Sequence, residues 1–142
     1  MTSPGRFKIA IIGSGPAGLS AAGRAAALDR EAGRTSPTYV LLEAFNHPAK
    51  TIFRYQKGKK VMAEPGYLDL RSDLPFEMAA REAVLGAWDA AIAGKALNIR
   101  TGAEVKAITG SRGSFTVQLS EGGVVEAENV VLAIGLEGNP RR

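Results

Sequence analysis

Cysteine is absent from this 142-residue chain. Its absence excludes a structural disulfide, a thiolate metal site and a redox-active cysteine pair within these residues. Histidine occurs once, as His47, so a His/Cys metal cluster has no ligand set. Aromatic residues are scarce at 6%, and no basic run is interleaved with them, which argues against a nucleic-acid surface. No stretch approaches the ~18 consecutive apolar residues of a membrane span. Met1 to Lys8 contains no apolar signal-peptide core. A cytoplasmic protein with neither nucleic acid nor membrane as partner is therefore expected. Paired carboxylates, a nucleophile elbow and metal-ligand spacing are all missing, so no catalytic residue is assigned.

What is present suits one globular domain. The chain is 45% hydrophobic and 23% charged, with a formal net charge of +4, near the averages for such proteins. The mild positive charge suits an anionic ligand such as pyrophosphate, and solubility accounts for it equally well. Residues 7–12 (FKIAII) form a short apolar run ending in glycine, as a buried parallel strand does. An alanine-rich helix is expected from about Pro16 to Ala32, with Ala17, Ala21 and Leu28 at helical spacing. Thr38 to Leu42 (TYVLL) reads as a second strand, making a βαβ unit.

Residues 45–72 look irregular, and a loop of that length is usually functional or mobile. A second helix is expected to begin between Ser72 and Phe76, capped by Ser72 or Asp73 with Pro75 in its first turn. Val84, Trp88 and Ile92 line its buried face, and Gly94 is expected to end it. Leu97 to Arg100 reads as a third parallel strand. Val105–Thr109, Phe115–Leu119 and Val124–Ala127 read as an antiparallel meander, and Val130–Ile134 as a further buried strand closed by Gly135.

The central motif is Gly13-Ser14-Gly15-Pro16-Ala17-Gly18. A G-x-G-x-x-G match alone is weak, but this one sits between an expected strand and an expected helix. Gly13 permits the tight turn, Gly15 lets a pyrophosphate approach the backbone, and Gly18 lets helix and strand pack closely. Ala22 keeps the same helix face small. The helix N-terminus offers N–H groups and partial positive charge to phosphates. The bland alternative is a strand-to-helix turn whose glycines serve packing only. Glu43 ends the second strand, where an acid accepts hydrogen bonds from ribose hydroxyls and repels a 2′-phosphate. It lies somewhat further from Gly18 than the usual ~20 residues. Its bland alternative is a solvated acid just past a strand.

These two elements suit NAD and FAD equally. The meander after the third strand, in place of further strand–helix units, favours FAD. On these motifs the sequence resembles the two-dinucleotide-binding-domain flavoproteins of the pyridine nucleotide-disulfide oxidoreductase superfamily, the thioredoxin reductase-like branch above all. IAIIGSGPAGLSAA resembles the pyrophosphate motif, VLLEA the ribose-binding strand end with Glu43 and Ala44, and ENVVLAIG the second FAD motif with Ala133, Ile134 and Gly135. Ile134 replaces the threonine usual there. The resemblance implies that Val105 meets the adenine through its backbone.

The expected fold is thus α/β, a Rossmann-like parallel sheet with flanking helices and a β-meander crossover. The resemblance further implies a split FAD domain. Residues 1–142 would be its N-terminal part, and an NAD(P)H domain and a returning FAD segment would lie outside them. The absence of cysteine then argues against the glutathione reductase-like branch, whose pair lies in this early segment. It says nothing against the thioredoxin reductase-like branch, whose pair lies in the NAD(P)H domain. The dibasic Arg141-Arg142 fits trypsin-like cleavage in a linker and fits a designed boundary equally well.

The expected function is the FAD-binding part of an NAD(P)H-dependent oxidoreductase with an unidentified electron acceptor, inactive by itself and open to homodimer formation. Two alternatives stay open: a stand-alone adenine-nucleotide-binding module, and the N-terminal piece of an amine oxidase or monooxygenase-type flavoenzyme. The basic stretch Lys50, Arg54, Lys57, Lys59 and Lys60 is either a solvated loop or a lid, with Arg54 near the pyrophosphate. His47 suits a loop better than a proton donor. Trp88 suits core packing. Tyr55 and Tyr67 are candidates to stack on a flavin, with nothing to single them out.

Overall fold

The computed structural model describes residues 6–46, 48, 60–61 and 79–135. Strand β1 (Arg6–Ile12) leads into helix α1 (Pro16–Glu31) and then β2 (Tyr39–Leu42). Two short strands, β3 (Lys60–Val61) and β4 (Ala79–Ala80), pair antiparallel. Helix α2 (Arg81–Lys95) follows, then β5 (Ile99–Arg100), β6 (Val105–Ser111), β7 (Ser114–Leu119) and β8 (Val124–Leu132). The main sheet has the order β5-β2-β1-β8-β7-β6. Its first four strands run parallel, and β6 and β7 join antiparallel. This is the expected Rossmann-like α/β arrangement with its meander.

The alternation of strand side chains divides the core in two. Ile11, Tyr39 and Leu41 face the helices, against Leu19, Ala22 and Ala26 of α1 and Val84, Leu85 and Trp88 of α2. Ala10, Ile12, Val40 and Leu42 face the other way, against Val117 and Leu119 of β7 and Val125 and Ala127 of β8. Both faces of β1 and β2 are therefore covered, which explains their continuous apolar runs. Asp29 near the end of α1 fixes the return to β2. Its carboxylate accepts from the Thr38 amide at 3.0 Å and the Thr38 hydroxyl at 2.7 Å.

Four details differ from the sequence reading. The buried face of α1 is Gly18, Leu19, Ala22, Gly23, Ala25 and Ala26. Ala17 and Leu28 are exposed, because they lie off the helix face that packs on the sheet. The helix carrying Trp88 runs from Arg81 after the extended residue Ala80, while the start expected between Ser72 and Phe76 lies outside the described residues. It also passes through Gly94 to Lys95. Ala96 takes the left-handed turn at φ 50°, while Leu97 N donates to the Ile92 carbonyl at 3.1 Å.

The fourth difference concerns β8. Val124–Ala127 and Val130–Ile134 are not two strands, since Val124–Leu132 is continuous. Its first half pairs with β7 and nearly its whole length pairs with β1. Strand β7 begins at Ser114, so among the described residues β8 beyond Ala127 pairs only with β1. Val131, Leu132 and Ile134 are consequently 38%, 65% and 59% exposed rather than buried. His47, Lys50, Arg54, Tyr55, Lys57, Lys59, Tyr67, Ser72, Asp73, Pro75, Phe76 and the Arg141-Arg142 end lie outside the described residues. No helix among the described residues is long and apolar enough to cross a membrane.

Tyr39 sits where β2 meets the turn into β5. Its hydroxyl accepts from the Asn98 amide at 2.9 Å, and its carbonyl accepts from Asn98 Nδ2 at 2.9 Å. Burial raises its phenol above the ordinary 10.0, and the Asn98 hydrogen bond offsets part of that rise. A raised phenol stabilises the fold fully below the ordinary value and loses that contribution as pH rises through the folded-state value. In an alkaline titration followed by phenolate absorbance, with Tyr39→Phe as the reference, we expect the Tyr39 phenol to ionise late, together with unfolding. A titration that loses no late-ionising component on Tyr39→Phe substitution would contradict this burial.

Candidate functional site

The chain reverses its direction across the sheet at β1. It first moves outward through β2 to β5, then returns to the other side of β1 through β8. In open α/β sheets such a switch opens a crevice beyond the carboxyl ends of the strands, where ligands bind. The glycine motif lies there. Gly13 N donates to the Leu42 carbonyl at 2.9 Å, and Ala133 N donates to the Ile12 carbonyl at 2.8 Å. The loop is thereby held between the ends of β2 and β8.

The three glycines do different work. Gly13 has φ +104°, and a Cβ there would fall on the backbone of Ala133. A Cβ on Gly18 would fall on the carbonyl of Gly13. Both positions need glycine for packing. A Cβ on Gly15 would meet nothing within 4 Å, so packing does not account for that glycine. Gly15 is also the N-cap of α1 and gives the helix no side-chain cap, with Pro16 at its start and no acid in its first turn. Pro16 and Ala17 are exposed.

Glu43 is only 7% exposed, so it is not a solvated acid. Its Oε1 accepts from the Ser14 hydroxyl at 2.6 Å and the Ser14 amide at 3.2 Å. Its Oε2 accepts from the Phe45 amide at 2.9 Å. Ser14 itself is fully buried. The backbone around Glu43 is also paired, with its amide on the Arg100 carbonyl at 2.9 Å and its carbonyl on the Ala103 amide at 2.8 Å. These last partners, Arg100 and Ala103, were not foreseen. The Thr101-Gly102 break after a short strand is the signal that marks them.

Gly13, Ser14, Gly15, Gly18, Glu43, Ala133 and Ile134 are thus brought to one end of the sheet. Ala44 follows Glu43 and is exposed, and Gly135 is exposed with φ +64°. Val105 begins β6 and joins the core on the meander side. The segment that precedes it pairs with Glu43 at Ala103. Among the described residues, no group of three or more His, Cys, Asp or Glu can hold a metal ion.

The sequence profile described as "Pyridine nucleotide-disulphide oxidoreductase" matches residues 10–142. The chain belongs to this family. Comparison with curated proteins finds no match. Among solved structures, the bacillithiol disulfide reductase from Staphylococcus aureus superposes with a TM-score of 0.71 at 22% identity, covering 92% of this chain and 38% of that one. A flavin-containing monooxygenase from Stenotrophomonas maltophilia gives 0.72 at 22% identity, with 96% and 41% covered. A ferredoxin-flavin thioredoxin reductase from Clostridium acetobutylicum gives 0.64 at 20% identity, with 96% and 40% covered. These likenesses show the same fold for disulfide reductases and monooxygenases alike. The chain spans about two-fifths of the length of these three structures.

Substitution separates packing from exposure at the family's glycine loop. Gly18→Ala should destabilise the chain by ~1–3 kcal/mol or more, because backbone must move. Gly15→Ala should cost less than ~1 kcal/mol, the scale of an N-cap change. Urea unfolding of both variants checks this, and equal losses would contradict the assigned roles.

Proposed function

We propose that the chain is the FAD-binding segment of an NAD(P)H-dependent flavoprotein oxidoreductase. The observation that carries this reading is Gly15. It is the one glycine of the motif that packing does not require, and it stands at an uncapped helix start beside the buried Glu43. That arrangement fits the adenosine diphosphate half of a dinucleotide. The backbone at Gly15 and the start of α1, where Pro16 leaves the Ala17 and Gly18 amides next in line, would receive the pyrophosphate, while the Gly13 amide is held by the Leu42 carbonyl and the Ser14 amide by Glu43. Glu43, with Ala44 beside it, would receive the ribose. Val105 would line the adenine, and Ala133, Ile134 and Gly135 would flank the path toward the flavin.

Bound FAD would supply the hydride and electron chemistry. The chain's own residues bind and orient. The glycine backbone lets phosphate oxygens approach the N–H groups, and the helix dipole favours their charge. The Glu43 carboxylate selects a free ribose over a phosphorylated one, so NADP is disfavoured here. NAD(P)H would bind in a separate domain beyond residues 1–142, and the returning FAD segment would lie there too. The share of the related structures that the chain spans supports this division. Within the family, the sequence motifs favour a thioredoxin reductase-like parent. The equally close likeness to monooxygenases supports a second reading, in which the parent uses a different electron acceptor.

Adding FAD to the purified chain, desalting it and recording the visible spectrum tests the proposal. We expect little flavin to be retained, because part of its site lies elsewhere, while calorimetry detects ADP binding. A retained flavin band would show that these residues hold FAD unaided. Binding of neither ligand would overturn the proposal and leave Gly13 and Gly18 with their packing roles alone.

A further inference from the structure

Glu43 holds the most constrained carboxylate among the described residues of the site. An ionised carboxylate offers about four acceptor positions. The Ser14 hydroxyl and amide take two, both on Oε1, and the Phe45 amide takes one on Oε2. Among the described residues, this leaves a single acceptor position on Oε2. The short 2.6 Å contact from the Ser14 hydroxyl is charge-assisted and fixes the rotation of the carboxylate. Without it, Oε1 keeps only the longer amide contact of 3.2 Å. The carboxylate can then turn and share its oxygens differently.

We infer that Ser14 is a positioning residue that sets ribose selectivity by orienting Glu43, which rests on the reading of Glu43 as the ribose acceptor. Ser14 acts through the carboxylate, because the residue is fully buried and presents no surface to a ligand. One acceptor position matches one hydroxyl donor, so selectivity depends on that oxygen facing the ribose. The pyrophosphate contacts do not pass through this hydrogen bond. Loss of the Ser14 hydroxyl therefore weakens recognition of the 2′-hydroxyl while sparing the phosphate contribution.

The test measures ADP and 2′-deoxy-ADP binding to the full 142-residue chain by calorimetry. The native chain should prefer ADP by about tenfold or more, the scale of a hydrogen bond to a charged acceptor. Ser14→Ala should reduce that preference to about threefold or less, with 2′-deoxy-ADP affinity changed by less than about twofold. Ser14→Gly removes the same hydroxyl and serves the same comparison if Ser14→Ala does not fold. An unchanged preference, or an equal loss for both ligands, overturns the inference and leaves Ser14 a structural residue. A native chain that binds ADP without preference overturns it differently, by removing the ribose role of Glu43 itself.

Discussion

One buried carboxylate ties together the three segments that meet at the carboxyl end of the sheet. Glu43 leaves β2 with both oxygens engaged, by Ser14 in the glycine loop and by Phe45 in its own turn. Its backbone amide and carbonyl continue the pairing toward Arg100 and Ala103. A carboxylate withdrawn from water is costly unless hydrogen-bonded, so each partner must keep its place. The loop conformation, the start of α1 and the connection into the meander are coupled through this group.

The second constraint is steric. Gly13 and Gly18 let the loop, the helix and the Ala133 segment approach to backbone contact. Ala133 N on the Ile12 carbonyl then locks β8 beside β1. The β8 strand therefore serves two structures, covering one sheet face with its first half and closing the site with its second. The same long strand leaves Leu132 and Ile134 exposed past the end of β7. Packing on both faces of β1 and β2 supplies the rigid support on which a binding loop depends.

Much of this was legible in the sequence. The period of the apolar runs gave β1, β2 and the meander, and the spacing of Val84, Trp88 and Ile92 gave the buried face of α2. The glycine motif and Glu43 stood out as a candidate site from their residue types and their places at strand ends, and the structure brings Ser14 and Glu43 into hydrogen-bond contact. Long-range pairing was not legible. Whether Val124–Leu132 is one strand depends on where β7 starts, which no local pattern encodes. The helix end at Ala96 was hidden because alanine takes the left-handed turn that usually marks a glycine. The Ser14–Glu43 hydrogen bond joins residues far apart in sequence and becomes visible only once β1 and β2 pair.

The family assignment and the fold leave the nucleotide site as the central claim. Amide NMR of the isotope-labelled chain, titrated with ADP, addresses it residue by residue. The account predicts that the perturbed amides cluster at Gly13 to Leu19 and at Glu43 to Phe45, with those of α2 unaffected. Perturbations centred elsewhere, or none at saturating ADP, would contradict it.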